Sequence, residues 1–464
     1  MKKGKTWMCL LIGAMFFLQV NTVSVHAKAA WPEAPEIEGE TAIVMEASTG
    51  TVLYEKNAHA EHYPASITKI MTALLAIENS SLEEEVVFSH DAVYKIEGSH
   101  IARDVDEVMT MEHCLYALLL NSANECAYAI AEHVGGDYDT FIRMMNEKAA
   151  ELGCQNTHFN NPHGLPDETH YTSAYDMALI SREALKSDTF RQIVGTQRYT
   201  IPPTNKHPEE TYLRNTHMMF STYKGSEYLY DGCIGGKTGY TDAARNTLVT
   251  FAERNGMTLI CVVLSESLRK QYLDTMALFD YCFENFQLWN VKENEKFYTL
   301  DVIKDELTEH DNAFLLLDQN GCIVLPKTAV FTDASAEVVE DIESTKKAGS
   351  IAYTYAGHSV GGTDIVIAGR KVPANLTKVT QVKEKAFNIK YILIGILIII
   401  VLLGAGFLIY RFFTGEFYRT RYDIRDKKRN ILKEIKKNRR KGRKRRDKVG
   451  TMRYSQTDNI FGGK

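Results

Sequence analysis

The chain has 464 residues, 45% of them hydrophobic, and its 54 Lys and Arg against 59 Asp and Glu give a net charge of −5. That figure hides two parts: with +3 in residues 1–27 and +14 in residues 411–464, residues 28–390 carry about −22, which argues against nucleic acid as a partner of that long acidic stretch. Eight cysteines without any C-x-x-C spacing argue against a structural zinc site and against a dense disulfide framework.

In chain order, Lys2, Lys3 and Lys5, an apolar run from Trp7 to Val20, and Val25-His26-Ala27 predict a secretory leader over residues 1–27. Cys9 lacks a preceding small-residue lipobox and belongs to that leader. Of the seven remaining cysteines, Cys114, Cys126 and Cys261 lie in apolar stretches and are expected to be buried small hydrophobes. An odd seven leaves room for one or two disulfides.

Strands are expected at 41–45 and 51–54. After Pro64, the apolar residues Ile67, Ile70, Met71, Leu74, Leu75 and Ile77 recur at the helical period, and proline suits a helix start. This helix carries Ser66-Ile67-Thr68-Lys69, a hydroxyl and an amine three residues apart on one face, so that the amine can take the serine's proton. The same S-x-x-K pattern recurs at Ser221, Ser267 and Ser344, and a helix-capping serine beside a solvated lysine is the plain alternative. Its company must decide.

Helical periods follow at 110–120, 125–134, 139–152 and 173–186, then strand-like runs at 246–251 and 257–264. Strands at both ends with helices between predict an α+β body whose sheet joins distant parts of the chain. Two clusters fall within it. Asn121-Ser122-Ala123-Asn124 lies between two predicted helices, where side chains project from a loop held by rigid elements. The run 231–241 contains Gly235-Gly236-Lys237-Thr238-Gly239-Tyr240 and leads towards a strand, its glycines allowing close approach of backbone to a ligand.

Beyond Trp289 the texture changes to short turn-separated runs at 296–303, 313–317, 322–325, 351–355 and 363–367, which predict a small β domain. The divisions expected are a catalytic domain at 28–290, a β domain at 291–380, a stalk at 381–390, a transmembrane helix at 391–410 and a basic tail at 411–464. The run 391–410 is uncharged, with tyrosine at both edges, and long enough to span a bilayer. The tail has 20 Lys and Arg against six acids and suits anionic lipid headgroups better than nucleic acid, since no aromatic or foldlike pattern accompanies the charge. Localisation follows: a single-pass membrane protein with its catalytic domain outside and its tail in the cytoplasm. No internal repeat occurs, and no low-complexity segment outside the tail.

S-x-x-K, S-x-N and K-T-G in this order, at Ser66, Ser122 and Lys237, form the signature of penicillin-binding proteins and class A β-lactamases. With residues 159–166 and 170–177, the chain resembles the low-molecular-weight serine D-alanyl-D-alanine carboxypeptidases (peptidase S11-like) over about residues 35–380. The resemblance implies a penicillin-binding, β-lactamase-like catalytic domain followed by a small all-β domain. It also implies removal of the terminal D-alanine from peptidoglycan stem peptides through an acyl-enzyme, with β-lactams as covalent inhibitors and no cofactor or metal. Ser66 would be the nucleophile, Lys69 its base and Ser122 a proton relay. Asn124 would orient Lys69 and the substrate amide, Lys237 and Thr238 would take the terminal carboxylate, and Gly239 would permit close packing. The N–H groups of Ser66 and Tyr240 would form the oxyanion hole. His163, His170 and Asp176 are expected to be structural.

Two departures stand out. Ala123 replaces the aspartate of S-D-N, and no E-x-x-L-N segment lies between Ser122 and Lys237 to supply a deacylating glutamate. The family often attaches by an amphipathic surface helix, whereas a spanning segment is expected here. The competing readings are a β-lactamase, a D,D-endopeptidase and a membrane β-lactam sensor.

Overall fold

The computed structural model describes residues 30–297, 313–340 and 347–370. The leader, stalk, spanning segment and tail lie outside them, as does most of the expected strand at 296–303. No helix among the described residues is long and apolar enough to cross a membrane.

Strands β1 (Thr41–Glu46) and β2 (Val52–Lys56) form an antiparallel hairpin. β3 (Cys233–Thr241), β4 (Arg245–Arg254) and β5 (Met257–Glu266) come from far along the chain and complete a sheet of order β2-β1-β5-β4-β3. β1 runs antiparallel to β5, with Thr41 opposite Leu264, so the sheet joins the two ends of the body as the pattern of strands predicts. The run read as a lead into a strand is itself edge strand β3.

β5 explains why the sheet lies at the centre. Successive side chains point to opposite faces: Ile260, Val262 and Leu264 enter one core, while Leu259, Cys261 and Val263 enter a second. Among the described residues, besides the five-residue helix His90–Tyr94, six helices lie between β2 and β3 in sequence: α1 (Lys69–Asn79), α2 (Met111–Leu120), α3 (Asn124–Gly135), α4 (Tyr138–Glu151), α5 (Ala174–Ala184) and α6 (Asp188–Val194). They fill the first core, and α7 (Lys270–Asn285) covers the other face. Thr110, Asp137, Ser173 and Ser187 cap α2, α4, α5 and α6 by accepting from backbone N–H groups, which satisfies donors that a helix start leaves unpaired.

The second sheet contains β6 (Phe286–Asn290), β7 (Ala313–Leu317), β8 (Cys322–Pro326), β9 (Ser335–Glu340), β10 (Lys347–Tyr355) and β11 (His358–Arg370). Its order is β6-β8-β11-β10-β9, with β7 also on β11, around a core that includes Ile323, Leu325, Ile351, Tyr353 and Ile365. It starts at Phe286 because α7 ends at Asn285 and Phe286 buries with Val324 in the core beneath α7. Trp31 packs on both this core and the one under α7. Its ring lies 4.9 Å from that of Phe286 and stacks on His358 at 3.9 Å.

Cys114, Cys126, Cys154, Cys233, Cys261, Cys282 and Cys322 are all free thiols. Cys114, Cys126 and Cys261 are buried as the sequence predicts.

Candidate active site

Ser66 and Lys69 do not lie on one continuous α-helix, as expected. Pro64 instead precedes a 3₁₀ turn, Ala65–Thr68, and the α-helix starts at Lys69. A 3₁₀ turn has three residues per turn, so positions i and i+3 eclipse, which sets the two side chains face to face. The Lys69 ammonium donates to Ser66 Oγ at 3.0 Å and to the His163 carbonyl at 2.5 Å.

Backbone from two sides fixes this turn. Ala65 has φ +51°, a conformation costly for a residue with a Cβ. Gly164 (φ +88°) passes so close that a Cβ there would lie 1.9 Å from the Ala65 carbonyl oxygen. From the other side, a Cβ on Gly239 would lie 2.8 Å from the Ser66 nitrogen, and Thr247 Oγ1 donates to the Pro64 carbonyl at 2.8 Å. The Ser66 N–H and the first residue after Gly239, Tyr240, are thus neighbours. The Tyr240 side chain is 63% exposed and donates to Asp242.

Ser122 sits between α2 and α3 with φ +62°. Its Oγ accepts from Lys237 Nζ at 3.2 Å, and the same amine donates to the Thr238 carbonyl at 3.0 Å. The three motifs are therefore drawn together as two lysine–serine pairs, Lys69 with Ser66 and Lys237 with Ser122. Asn124 departs from expectation. Its amide Nδ2 donates to the Glu97 carbonyl and its backbone N–H to the Ser99 carbonyl, while Oδ1 has no partner among the described residues. The Lys69 amine, already held by Ser66 and His163, makes no hydrogen bond to it among those found.

Both lysines are buried, with 0% and 1% exposure. Burial, then the charge of Lys237, holds the Lys69 amine well below the ordinary lysine value, opposed by Glu125. Burial, then Lys224, brings Lys237 down to about 7. Desolvation disfavours a charged amine and a like charge adds to the effect, so both amines give up their protons more readily than an exposed lysine.

The histidines support backbone. His170 Nδ1 accepts from the Asn160 N–H, so Nε2 carries the proton and donates to Thr68 Oγ1 at 3.0 Å. His163 accepts from the Leu165 N–H and contributes its carbonyl to Lys69. Burial, with the Lys69 charge added to it at His163, brings both imidazoles down to about 3. Asp176 lies in the first turn of α5 and accepts from Gln155 N, Asn156 N and Thr157 Oγ1, a loop clamp outside any triad.

Asp104, Glu107 and His207 have side-chain oxygens and nitrogen within 4.8 Å of one another. The Glu107 carboxylate is already taken by Arg103, Thr204, His207 and the Asp104 N–H, so the group holds a loop together. Sequence reasoning missed Glu125, since an acid in a helix's first turn reads as an ordinary complement to the dipole. The His163 carbonyl was equally invisible, because a backbone oxygen leaves no signature.

The family model of peptidase S11, D-alanyl-D-alanine carboxypeptidase, matches residues 28–267. The chain belongs to this family. It is 35% identical over 288 residues to D-alanyl-D-alanine carboxypeptidase DacF of Bacillus subtilis (strain 168), covering 60% of this chain and 70% of that protein. It is 26% identical over 373 residues to D-alanyl-D-alanine carboxypeptidase DacA of Escherichia coli (strain K12), covering 76% and 88%. Among solved structures, the Streptomyces K15 DD-transpeptidase matches with a TM-score of 0.50 at 31% identity, over 55% of this chain and 100% of that one. The peptidase S11 match spans the 3₁₀ turn, both lysine–serine pairs and the central sheet.

Proposed function

We propose that this chain is a serine-type D-Ala-D-Ala carboxypeptidase that removes the terminal D-alanine from peptidoglycan stem peptides. The observation that carries the reading is the buried Lys69 amine at 3.0 Å from Ser66 Oγ, next to a second lysine whose charge keeps it deprotonable.

Neutral Lys69 takes the Ser66 proton as Oγ attacks the carbonyl between the two D-alanines. The negative charge that forms on the carbonyl oxygen is met by the N–H groups of Ser66 and Tyr240, which lie at the Gly239 contact. Lys237, in its protonated form, pairs with the terminal carboxylate beside Thr238. Through its bond to Ser122 Oγ it also sets the hydroxyl that passes a proton to the departing amine. Asn124 Oδ1, free of protein partners, accepts from the substrate amide. Water then hydrolyses the ester on Ser66, regenerating the serine. β-Lactams enter by the same attack and leave slowly, because no E-x-x-L-N segment between Ser122 and Lys237 supplies a deacylating glutamate.

The leader at 1–27, the span at 391–410 and the basic tail at 411–464 support an enzyme held in the cell membrane, its catalytic domain (28–290) and β domain (291–380) outside and its tail against anionic lipids.

The decisive assay incubates the chain with a peptide ending in D-Ala-D-Ala and measures free D-alanine. Release by the wild type and none by Ser66→Ala is expected; equal release by both would refute the assignment.

A further inference from the structure

Glu125 is the first residue after the S-x-N motif and lies in the first turn of α3. It is 2% exposed, which is costly for a carboxylate without compensation. One oxygen accepts from the Ile101 N–H at 2.5 Å, and the other, Oε2, has no partner among the described residues. The segment ahead of Ile101 is tied to the same helix start by two further bonds, Asn124 N–H to the Ser99 carbonyl at 2.8 Å and Asn124 Nδ2 to the Glu97 carbonyl. Residues 97–101 therefore form a strap over the N-terminus of α3. Gly98 within it packs near both Asn124 Nδ2 and Leu165, so strap and 159–166 segment meet at the side chain of Asn124.

We infer that Glu125 is a positioning residue for acyl transfer: it fastens this strap so that Asn124 keeps its side-chain oxygen free, and its buried charge acts on the Lys69 amine. The inference rests on the function proposed above.

The charges around the pair can be named. Lys69 feels the charges of Lys237 on β3 and of Glu125 and the Cys126 thiol on α3, and acts in turn on His163 and His170. Glu125 faces His100 and Arg103 on the strap side, and the Cys126 thiol adjoins Cys114 of α2. Lys237 drives Lys69 towards its neutral form and Glu125 holds it back. Removing the Glu125 charge must then let Lys69 lose its proton at lower pH. Burial also pushes the Glu125 carboxyl up, so its own protonation in acid relaxes the restraint on Lys69.

Two variants of the full chain separate charge from fastening. Glu125→Gln keeps an acceptor for the Ile101 N–H and removes the charge, whereas Glu125→Ala removes both. The rate of acylation by a fluorescent penicillin is followed across pH, with thermal unfolding as a control. For Glu125→Gln the acid limb moves to lower pH and the plateau stays within about twofold. Glu125→Ala shows the same move and loses about tenfold or more in rate throughout, since a displaced contact is costly in a preorganised site.

An unmoved acid limb in a folded Glu125→Gln protein overturns the inference, and that comparison stands even if Glu125→Ala fails to fold. A wild type that takes no penicillin on Ser66 overturns the proposed function as well, so the two failures are distinguishable.

Discussion

Lys237 and Ser122 are 115 residues apart in the chain and meet through a 3.2 Å hydrogen bond between buried amine and hydroxyl. The contact joins the edge strand of the sheet to the turn between two helices, and it brings the lysine of K-T-G onto the serine of S-x-N.

Replacing that amine by Lys237→Gln removes the charge that drives Lys69 towards neutrality. Lys69 is then protonated more readily, so the acid limb of kcat/KM moves to higher pH, the opposite direction from Glu125→Gln. Loss of the carboxylate partner lowers kcat/KM by about 10²-fold or more. Steady-state kinetics with a D-Ala-D-Ala peptide across pH checks both effects.

The free enzyme also has an alkaline limit. Lys237 titrates at about 7, and only its protonated form attracts a carboxylate. Capture of peptides ending in a free carboxylate should weaken as pH rises through that value, while the same peptide amidated at its end loses this dependence. A comparison of KM for the two peptides between pH 6 and about 9 tests it.

Stability follows the buried bases. His163 and His170 are held at about 3 and His217 at about 4, burial being the main cause, against an ordinary value of 6.5. The unfolded chain binds protons that the folded chain refuses between those limits. Stability is therefore full above 6.5 and falls as pH drops towards 4, read as a lower midpoint in thermal unfolding. His170→Asn should shallow that slope, although the loss of two hydrogen bonds lowers the starting midpoint by the equivalent of about 1–3 kcal/mol.

Gly239→Ala places a methyl against the Ser66 nitrogen and Thr247 Oγ1. Shifting the serine by even a few tenths of an ångström should reduce acylation by about 10²-fold, with a smaller effect on unfolding. Gly164→Ala combines a backbone clash with φ +88° and should destabilise the fold itself. Mass spectra after penicillin exposure, set beside melting curves, distinguish the two.

In the wild type, the same mass spectra should show a penicillin adduct on Ser66 that persists for many catalytic turnover times of the peptide reaction. Rapid disappearance of the adduct would contradict the reading that the chain lacks a deacylating glutamate between Ser122 and Lys237.

Much of this was legible in the amino-acid order. The almost continuous apolar run in 257–264 and the helical periods in 110–152 carry burial directly, so β5 and the helices α2 to α4 follow from pattern. The two lysine–serine pairs were readable as motifs because side-chain chemistry leaves letters in the sequence. The 3₁₀ turn at Ser66 was not, since its cause lies in Gly164 and Gly239 pressing from remote segments. Strand β9 escaped because half its residues face solvent, and β6 because its five residues directly continue a helix. The free Asn124 oxygen depends on a backbone carbonyl of residue 97, which carries no signature at all.

Trp31 gives the chain a practical indivisibility. One indole seals the layer under α7 and the second sheet together, and Tyr281 secures the adjoining Pro32 carbonyl at 2.9 Å. An expression boundary drawn at residue 35 would strip this shared seal and leave apolar faces open on both partners. A boundary at residue 28 retains it, so recombinant material should be designed from that end inward with the tryptophan intact.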